Sequence, residues 1–376
     1  MDASKLLGGL RDDDFVLLGG RDGGFVARGV RARIDIPAGL GGPGIADLVR
    51  GELHPFGPDA IAIGALPFNA RVGTSLVVPE EMWFAADGVG PGGAADGYAP
   101  LGPDAFTLTP SLSHSDWCDL VSDATDAIDA GAFEKVVLAR AVEVSANRPI
   151  VIADVVRRLQ NLYPSCTTYS IDGFVGASPE LLISKHGSDV VSYPLAGTTA
   201  RVGDPDADAA AGAALLASEK DRAEHRLTVD GVVAALSAWC DSISVPEGPS
   251  VVALRNVTHL GTRITGTLDE TTPVSVLELV AALHPTAAVG GQPSMQALRW
   301  LAQHERLDRG RYAGPVGWVN AAGDGEWWVG IRSAEIDDTR AVLRAGCGIV
   351  AGSDPMSELM ESQLKLQALL AALVRP

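Results

Sequence analysis

Hydrophobic and polar positions alternate in short blocks along the first hundred residues, and Gly or Pro bounds each block. The blocks DFVLLGG, GFVARGVRARIDI, AIAIGAL and SLVVP have the pattern of β-strands. The loop that follows contains Gly88, Gly90 and Gly93 in the GxGxxG spacing. Because Pro91 interrupts the loop and no helical pattern follows it, the sequence predicts a surface connection and not a dinucleotide site.

Helical and β-branched segments share the rest of the chain but do not alternate one for one. SDWCDLVSDATDAIDAG and IVIADVVRRLQNL read as helices, whereas FEKVVLARAVEVSA, EWWVGIRSAEI and RAVLRAGCGIV read as strands. Gly323, Asp324 and Gly325 predict a hairpin turn before EWWVGIRSAEI. This order favours an α+β fold in which helices pack outside antiparallel sheets, as one domain over residues 1–376.

Two predicted helices carry pairs of carboxylates. The stretch 204–240 reads as one long helix, bent near Gly231, in which Asp221 and Glu224 share a face. Such charges are common on solvated helices. The alternative is that this pair meets a second acidic pair, because facing carboxylates bind divalent metals.

The last helix supplies that second pair. Asp354 is a good N-cap, and Pro355 suits the first helical position. Glu358, Glu361 and Lys365 then form one stripe, apart from the leucines of the helix. A solvated ion pair between Glu361 and Lys365 is the competing interpretation. Convergence of the two acidic faces would instead create a Mg²⁺ site with room for an anionic ligand.

The bulk composition restricts the possible partners. A formal net charge of -18 argues against binding to nucleic acid or an anionic membrane, so an anionic ligand would need local cations or a metal. No signal peptide or membrane span is predicted, and the four cysteines lack metal or redox spacing. We therefore expect a cytoplasmic protein with reduced cysteines.

Individual residues add candidate chemistry. Lys135 has apolar neighbours in a chain with only five lysines, and desolvation there would lower its pKa toward that of a usable base. Glu180 begins an apolar strand, where a partly desolvated carboxyl could act as an acid. Arg332 lies in a strand that is otherwise apolar and needs an anionic partner. Glycines near Gly346 would let backbone N–H groups approach an anion. For each residue alone, structural ion pairing is the competing interpretation.

An ordered series of motifs resembles a known family. FEKVVLAR, GASPELL, PLAGTTAR, SEKDRAEH, LHPTAAVGG, YAGPVGWV and AGCGIVAGSDPMSELMESQLKL occur in that order over residues 130–370. The series is similar to that of the chorismate-utilising enzymes, which include isochorismate, salicylate, anthranilate and aminodeoxychorismate synthases. Residues 1–110 match only loosely and would be the variable half of the fold. The resemblance implies two large antiparallel sheets packed together.

The resemblance also implies a metal site. Glu224 and Glu361 would bind Mg²⁺, with Asp221 and Glu358 close behind as water-mediated or supporting groups. The ring carboxylate of chorismate would be held by the metal.

The rest of the substrate site is implied in the same way. Arg332 and backbone near Gly346 would take the enolpyruvyl carboxylate, while Gly197 and Lys365 would line the anionic end. His284 would lie against the ring, and a structural histidine bonded to backbone is its competing interpretation.

The resemblance distinguishes the members of the family by their nucleophile. Lys135 stands where the isochorismate- and salicylate-forming enzymes carry the base that activates water. Ala196 stands where aminodeoxychorismate synthases carry a nucleophilic lysine. The expected reaction is attack of water at C2, with Glu180 protonating the C4 hydroxyl as it leaves.

The resemblance favours isochorismate as the product, with salicylate as the alternative. Two readings of a different class are an aminating subunit that needs a glutaminase partner and a non-catalytic metal and anion binder. The family's habit suggests a self-sufficient monomer. The sequence leaves open whether the product serves menaquinone or siderophore synthesis.

Overall fold

A computed structural model describes residues 3–19, 23–85, 102–269 and 273–374. The loop with the GxGxxG spacing lies outside the described residues. The strands are β1 Phe15–Leu18, β2 Gly24–Ile36, β3 Ile61–Ala65, β4 Thr74–Phe84, β5 Phe106–Pro110, β6 Lys135–Ala146, β7 Thr167–Ile171, β8 Phe174–Ser178, β9 Leu181–His186, β10 Asp189–Tyr193, β11 Leu195–Ala200, β12 Cys240–Ser244, β13 Ser250–Ala253, β14 Val257–Gly261, β15 Ile264–Leu268, β16 Gly291–Gln292, β17 Pro315–Asn320, β18 Gly325–Val329, β19 Ser333–Asp337 and β20 Arg340–Ile349.

Helices fill the connections between these strands. They are α1 Ala3–Gly8, α2 Ile45–Leu53, α3 His114–Asp129, α4 Ile152–Leu162, α5 Pro205–Ala217, α6 Glu219–Leu236, α7 Val276–Leu283, α8 Ser294–His304 and α9 Pro355–Val374, with a 3-10 turn at His54–Phe56. Within the described ranges, no helix is both long enough and apolar enough to cross a membrane.

The strands pair antiparallel throughout the part of the chain that the structure describes. The main run of pairings is β5-β6-β20-β19-β8-β7-β1-β2-β4-β3-β17-β18-β9-β10-β15-β12, with β16 also on β6. A separate small sheet has the order β11-β14-β13. The predicted hairpin between β17 and β18 is confirmed.

The long run of strands folds over into two facing halves. One apolar cluster contains Phe25, Tyr169 and Phe174 from one half of the run and Ile63 and Trp328 from the other. Strands from both halves therefore share a core, as in two packed sheets. Other clusters place α1, α4 and α9 on one outer face and α2, α6 and α7 on the opposite one. The predicted α+β fold is confirmed.

The acidic helix breaks at a different residue from the one predicted. Ser218 ends α5 and caps α6, where its side chain accepts a hydrogen bond from the Asp221 backbone N–H. Gly231, the predicted bend, lies inside α6. The prediction was wrong because a serine cap interrupts the helix more strongly than one glycine, which costs about 1 kcal/mol in a helix interior.

The predicted strand EWWVGIRSAEI is also two strands. It breaks between β18 and β19, and Arg332 lies in the break with φ of 52°. This left-handed conformation is unfavourable for a residue with a Cβ, so surrounding contacts must hold it. The Tyr169 hydroxyl donates to the Ile331 carbonyl at 3.0 Å, and the Ala177 N–H donates to the Arg332 carbonyl at 3.2 Å.

A buried ion pair fixes the strand that carries Lys135. The side chains of Glu305 and Arg309 form an ion pair and are only 5% and 4% exposed. Both also bind the backbone of β6. The Ala139 N–H donates to Glu305 Oε2 at 2.8 Å, and Arg309 Nη2 donates to the Val137 carbonyl at 2.6 Å. The backbone of β6 is therefore held from the side opposite its partner β20.

Candidate active site

A cavity opens where β6, β11 and β20 meet α6 and α9. The residues that line it come from segments far apart in the chain. They include Val137, Glu180, Ala196, Gly197, Thr198, Glu224, His259, Tyr312, Arg332, Arg344, Gly346, Gly348, Glu361 and Lys365. Most of the predicted site residues are therefore in one place.

Four carboxylates gather at one end of this cavity. Glu224 and Glu361 line it directly, and Glu358 and Asp221 stand behind them. Burial and the neighbouring Glu361 raise the pKa of Glu358, which is 5% exposed. Burial also raises the pKa of Asp221, and Glu224 and Glu361 act in the same direction. The two acidic helix faces thus converge, as predicted.

Lysines partly balance these acids. Lys135 Nζ lies 3.0 Å from Glu224 Oε1, and Lys365 Nζ lies 2.6 Å from Glu361 Oε1. Burial lowers the pKa of Lys365, but Glu361 and other neighbours outweigh it, so the net shift is upward. Lys365 therefore stays charged and also donates to the Gly346 carbonyl at 2.9 Å.

The acidic end suits a divalent cation. Carboxylates that raise each other's pKa in a partly buried site gain from a shared positive ion, and oxygen ligands of this kind suit Mg²⁺. Ligand atoms of Glu358 and Glu361 also lie within 4.8 Å of each other and of the Cys347 sulfur. Of these four carboxylates, Glu224 and Glu361 line the cavity directly, so they are the candidate ligands.

Glu180 lies on another wall of the cavity. It is 3% exposed, and burial raises its pKa to about 7, against the lowering effect of the nearby Lys135. The Ser178 hydroxyl accepts a hydrogen bond from the Glu180 N–H at 3.2 Å and fixes the backbone there. A carboxyl in this state can hold a proton near neutral pH and donate it.

Lys135 is buried behind the carboxylates. Its side chain is 1% exposed, and its ammonium also donates to the Thr228 hydroxyl at 3.3 Å. Lys135 is not among the described residues that line the cavity, but Glu224, which its ammonium contacts, is one of them. Its predicted role as base stays a prediction.

Arg332 also lines the cavity and is bonded to a histidine. Its Nη2 donates to His259 Nε2 at 2.9 Å, and the His259 ring faces the Gly197 carbonyl on its other side. Burial lowers the pKa of His259 far below its usual value, and the Arg332 charge adds to this. The imidazole is therefore neutral and leaves the guanidinium charge available to an anion.

Two glycines leave room at the acidic end. A Cβ on Gly348 would lie 2.2 Å from Glu224 Oε1 and 3.0 Å from Lys135 Cε. Gly197 has φ of 76°, which favours glycine, and faces Asp221. Side chains at these positions would displace the charged groups.

His284 does not line the cavity among the described residues. Its Nε2 donates to the Phe68 carbonyl at 2.8 Å, and its ring meets the Phe68 ring edge-on at 5.7 Å. Burial lowers its pKa to about 4, so it is neutral. His284 therefore has the backbone hydrogen bond of the competing interpretation, and its predicted place against the substrate ring stays a prediction.

Four polar residues that line the described cavity were not assigned a role from the sequence. They are Thr198, His259, Tyr312 and Arg344. His259 lies in the apolar strand β14, and Arg344 lies in β20. A polar residue in an apolar strand is the same signal that makes Arg332 a candidate. Tyr312 begins the quoted motif YAGPVGWV, but nothing about its type or spacing indicated its place.

Comparisons with known proteins establish the family of the chain. A family model for chorismate binding enzymes matches residues 99–374. Isochorismate synthase DhbC of Bacillus subtilis is 37% identical over 334 residues, covering 83% of this chain and 80% of the relative.

Solved structures are similar over nearly the whole chain. A protein from Bacillus anthracis assigned as a 2,3-dihydroxybenzoate-specific isochorismate synthase has a TM-score of 0.89 and 34% identity, covering 99% of both chains. MenF, the menaquinone-specific isochorismate synthase of Escherichia coli, has a TM-score of 0.84 and 27% identity, covering 100% of this chain and 92% of that one. The motif series is thereby confirmed, and this chain belongs to the family of chorismate-binding enzymes.

Proposed function

We propose that this protein is a Mg²⁺-dependent isochorismate synthase, in which water attacks C2 of chorismate while the C4 hydroxyl leaves. The observation that carries the proposal is the arrangement of one cavity. The carboxylates of Glu224 and Glu361, the cation Arg332 and Glu180, whose pKa is raised to about 7, all line it. The names of the similar proteins supply the substrate.

Chorismate has two carboxylates, one on the ring and one on the enolpyruvyl side chain. Mg²⁺ held by Glu224 and Glu361 would neutralise the ring carboxylate, with Asp221 and Glu358 supporting these ligands. Lys365 and the backbone at Gly197 line the same end. Arg332 would bind the enolpyruvyl carboxylate through its remaining N–H groups.

The reaction moves two protons and shifts the ring double bonds. As the water oxygen bonds to C2, the C1–C2 double bond moves to C1–C6, the C5–C6 double bond moves to C4–C5, and the C4–O bond breaks. Lys135, acting as the base, would take the proton of the attacking water, and Glu180 would give its proton to the departing hydroxyl. A base and an acid of this kind each contribute about 10²- to 10⁴-fold.

Two other outcomes lead to different products. A salicylate synthase would share the first step and then eliminate pyruvate. An aminating enzyme would use ammonia or a lysine as the nucleophile in place of water. Ala196 on the cavity wall supplies no such lysine, and Lys135 holds the position of the base that would activate water. The proposal therefore includes independence from a glutaminase subunit.

Product identification by NMR tests the proposal. The purified protein is incubated with chorismate and Mg²⁺, with and without glutamine and ammonia. Isochorismate in equilibrium with chorismate is the expected result, and it should stop forming when EDTA is added. Salicylate with pyruvate would instead show that the protein is a salicylate synthase. An aminated product would contradict water as the nucleophile.

A further inference from the structure

Arg344 is a cation of the cavity that the proposed mechanism does not yet use. It lies on β20, and its side chain is 10% exposed. Alternate residues of a strand face the same side, and Gly346 and Gly348 on the same strand also line the cavity. Cys347, between them, packs into the apolar core on the other side. Arg344 therefore points toward the substrate space.

The position of Arg344 along β20 places it away from the acids. Gly348 contacts Glu224 at the acidic end, and four residues of strand, about 13 Å, separate it from Arg344. In the neighbouring strand Ser333 is the register partner of Arg344, and Arg332 directly precedes Ser333. The two arginines therefore lie at the same end of the cavity.

Protein groups satisfy the Arg344 guanidinium only in part. Its Nε is buried and has no hydrogen-bond partner in the described part of the chain. Glu335 Oε2 is 3.7 Å from Nη1, beyond hydrogen-bond distance, and Glu335 also accepts from the Arg311 N–H at 3.3 Å. A buried guanidinium with an open donor calls for an anion, because leaving it unpaired costs free energy.

From this geometry we propose that Arg344 is a second binding residue for the side-chain carboxylate of the substrate, next to Arg332. The inference rests on the proposed function, since that function supplies the substrate. Arg332 and Arg344 would each bind one carboxylate oxygen or share both. Together they would select ligands with a second carboxylate over simple benzoates.

Steady-state kinetics with Arg344→Met provides the first test. KM for chorismate should rise roughly 10- to 100-fold, as expected for loss of a charge-assisted hydrogen bond, while kcat changes much less. Arg340→Met is the matched control, because it removes the same charge from the same strand at an exposed residue that pairs with Glu143. It should leave KM within about twofold of wild type.

Two inhibitors separate binding from structural support. For 3-(1-carboxyvinyloxy)benzoate, Arg344→Met should raise the inhibition constant as much as it raises KM. For 3-methoxybenzoate, which lacks the second carboxylate, the inhibition constant should change less than about twofold. Equal losses for both compounds would mean that Arg344 only supports the fold, and this would overturn the inference.

Further outcomes keep the two proposals distinguishable. If Arg344→Met does not fold, Arg344→Lys retains the charge without the planar fork and should show the same selective loss in smaller measure. Wild-type protein that does not convert chorismate would contradict the proposed function itself. Conversion by wild type with an unchanged KM in the Arg344 variants would contradict only the role of Arg344.

Discussion

Replacement of Glu180 by glutamine should make the protein more stable at high pH while it removes turnover. Glutamine has nearly the same shape but never carries the charge that burial disfavours at this site. Burial raises the pKa of Glu180 from 4.5 to about 7, so between these values the folded protein holds a proton that the unfolded chain has lost. Wild-type stability therefore falls as pH rises through this window.

The size of the effect follows from the same two values. The wild-type carboxyl costs about 1 kcal/mol of folding free energy at pH 5.5 and about 3 kcal/mol at pH 8, at 1.36 kcal/mol per pH unit. With an unfolding entropy of about 2.1 cal/mol/K per residue over 376 residues, Glu180→Gln should raise Tm by about 2 °C at pH 5.5 and about 4 °C at pH 8.

Thermal and urea unfolding of the metal-free protein at the two pH values measures this difference. Glu247→Gln, at an exposed position, is the control and should show no gain that depends on pH. The Glu180 variant should bind chorismate nearly as well as wild type yet turn it over at least about 100-fold more slowly. An equal change in stability at both pH values, or retained turnover, would refute the reasoning.

Three further predictions concern Lys135, Gly348 and Glu305. Lys135→Gln should abolish turnover but spare chorismate binding, measured by calorimetry, and an unchanged rate would exclude Lys135 as the base. Gly348→Ala should raise the Mg²⁺ concentration for half-maximal activity at least about tenfold, because its Cβ would lie 2.2 Å from Glu224 Oε1. Glu305→Gln should lower the urea-derived free energy of unfolding by about 3–5 kcal/mol, because it leaves Arg309 buried without its carboxylate; a loss below about 1 kcal/mol would show that the pair does not fix β6.

The sequence predicted the acidic end of the site well because short-range rules act there. Asp221 and Glu224 share a helix face, as do Glu358 and Glu361, and each pair could be seen without knowing the fold. The expectation that the two faces meet came from the family resemblance, which the order of the motifs carries. The break at Ser218 carries a serine N-cap, a local signal that the prediction of a bend near Gly231 did not include.

Features that depend on tertiary contacts could not be predicted. The left-handed backbone of Arg332 is held by Tyr169 and Ala177, which are distant in the chain. His284 turns toward the Phe68 carbonyl, a contact that no local pattern specifies. Arg344 could be seen as a charge in an apolar strand, but only the strand register shows that it faces the cavity.

The origin of the product's C2 oxygen tests the central claim most directly. Chorismate is converted in ¹⁸O-labelled water, and the isochorismate is isolated before equilibration and analysed by mass spectrometry. Attack by water predicts one solvent oxygen in each product molecule, and no labelled product when Lys135→Gln replaces wild type or when EDTA is present. Unlabelled isochorismate would mean that the C4 hydroxyl moves to C2 within the molecule, and it would contradict the assignment of Lys135 and Glu180 as base and acid.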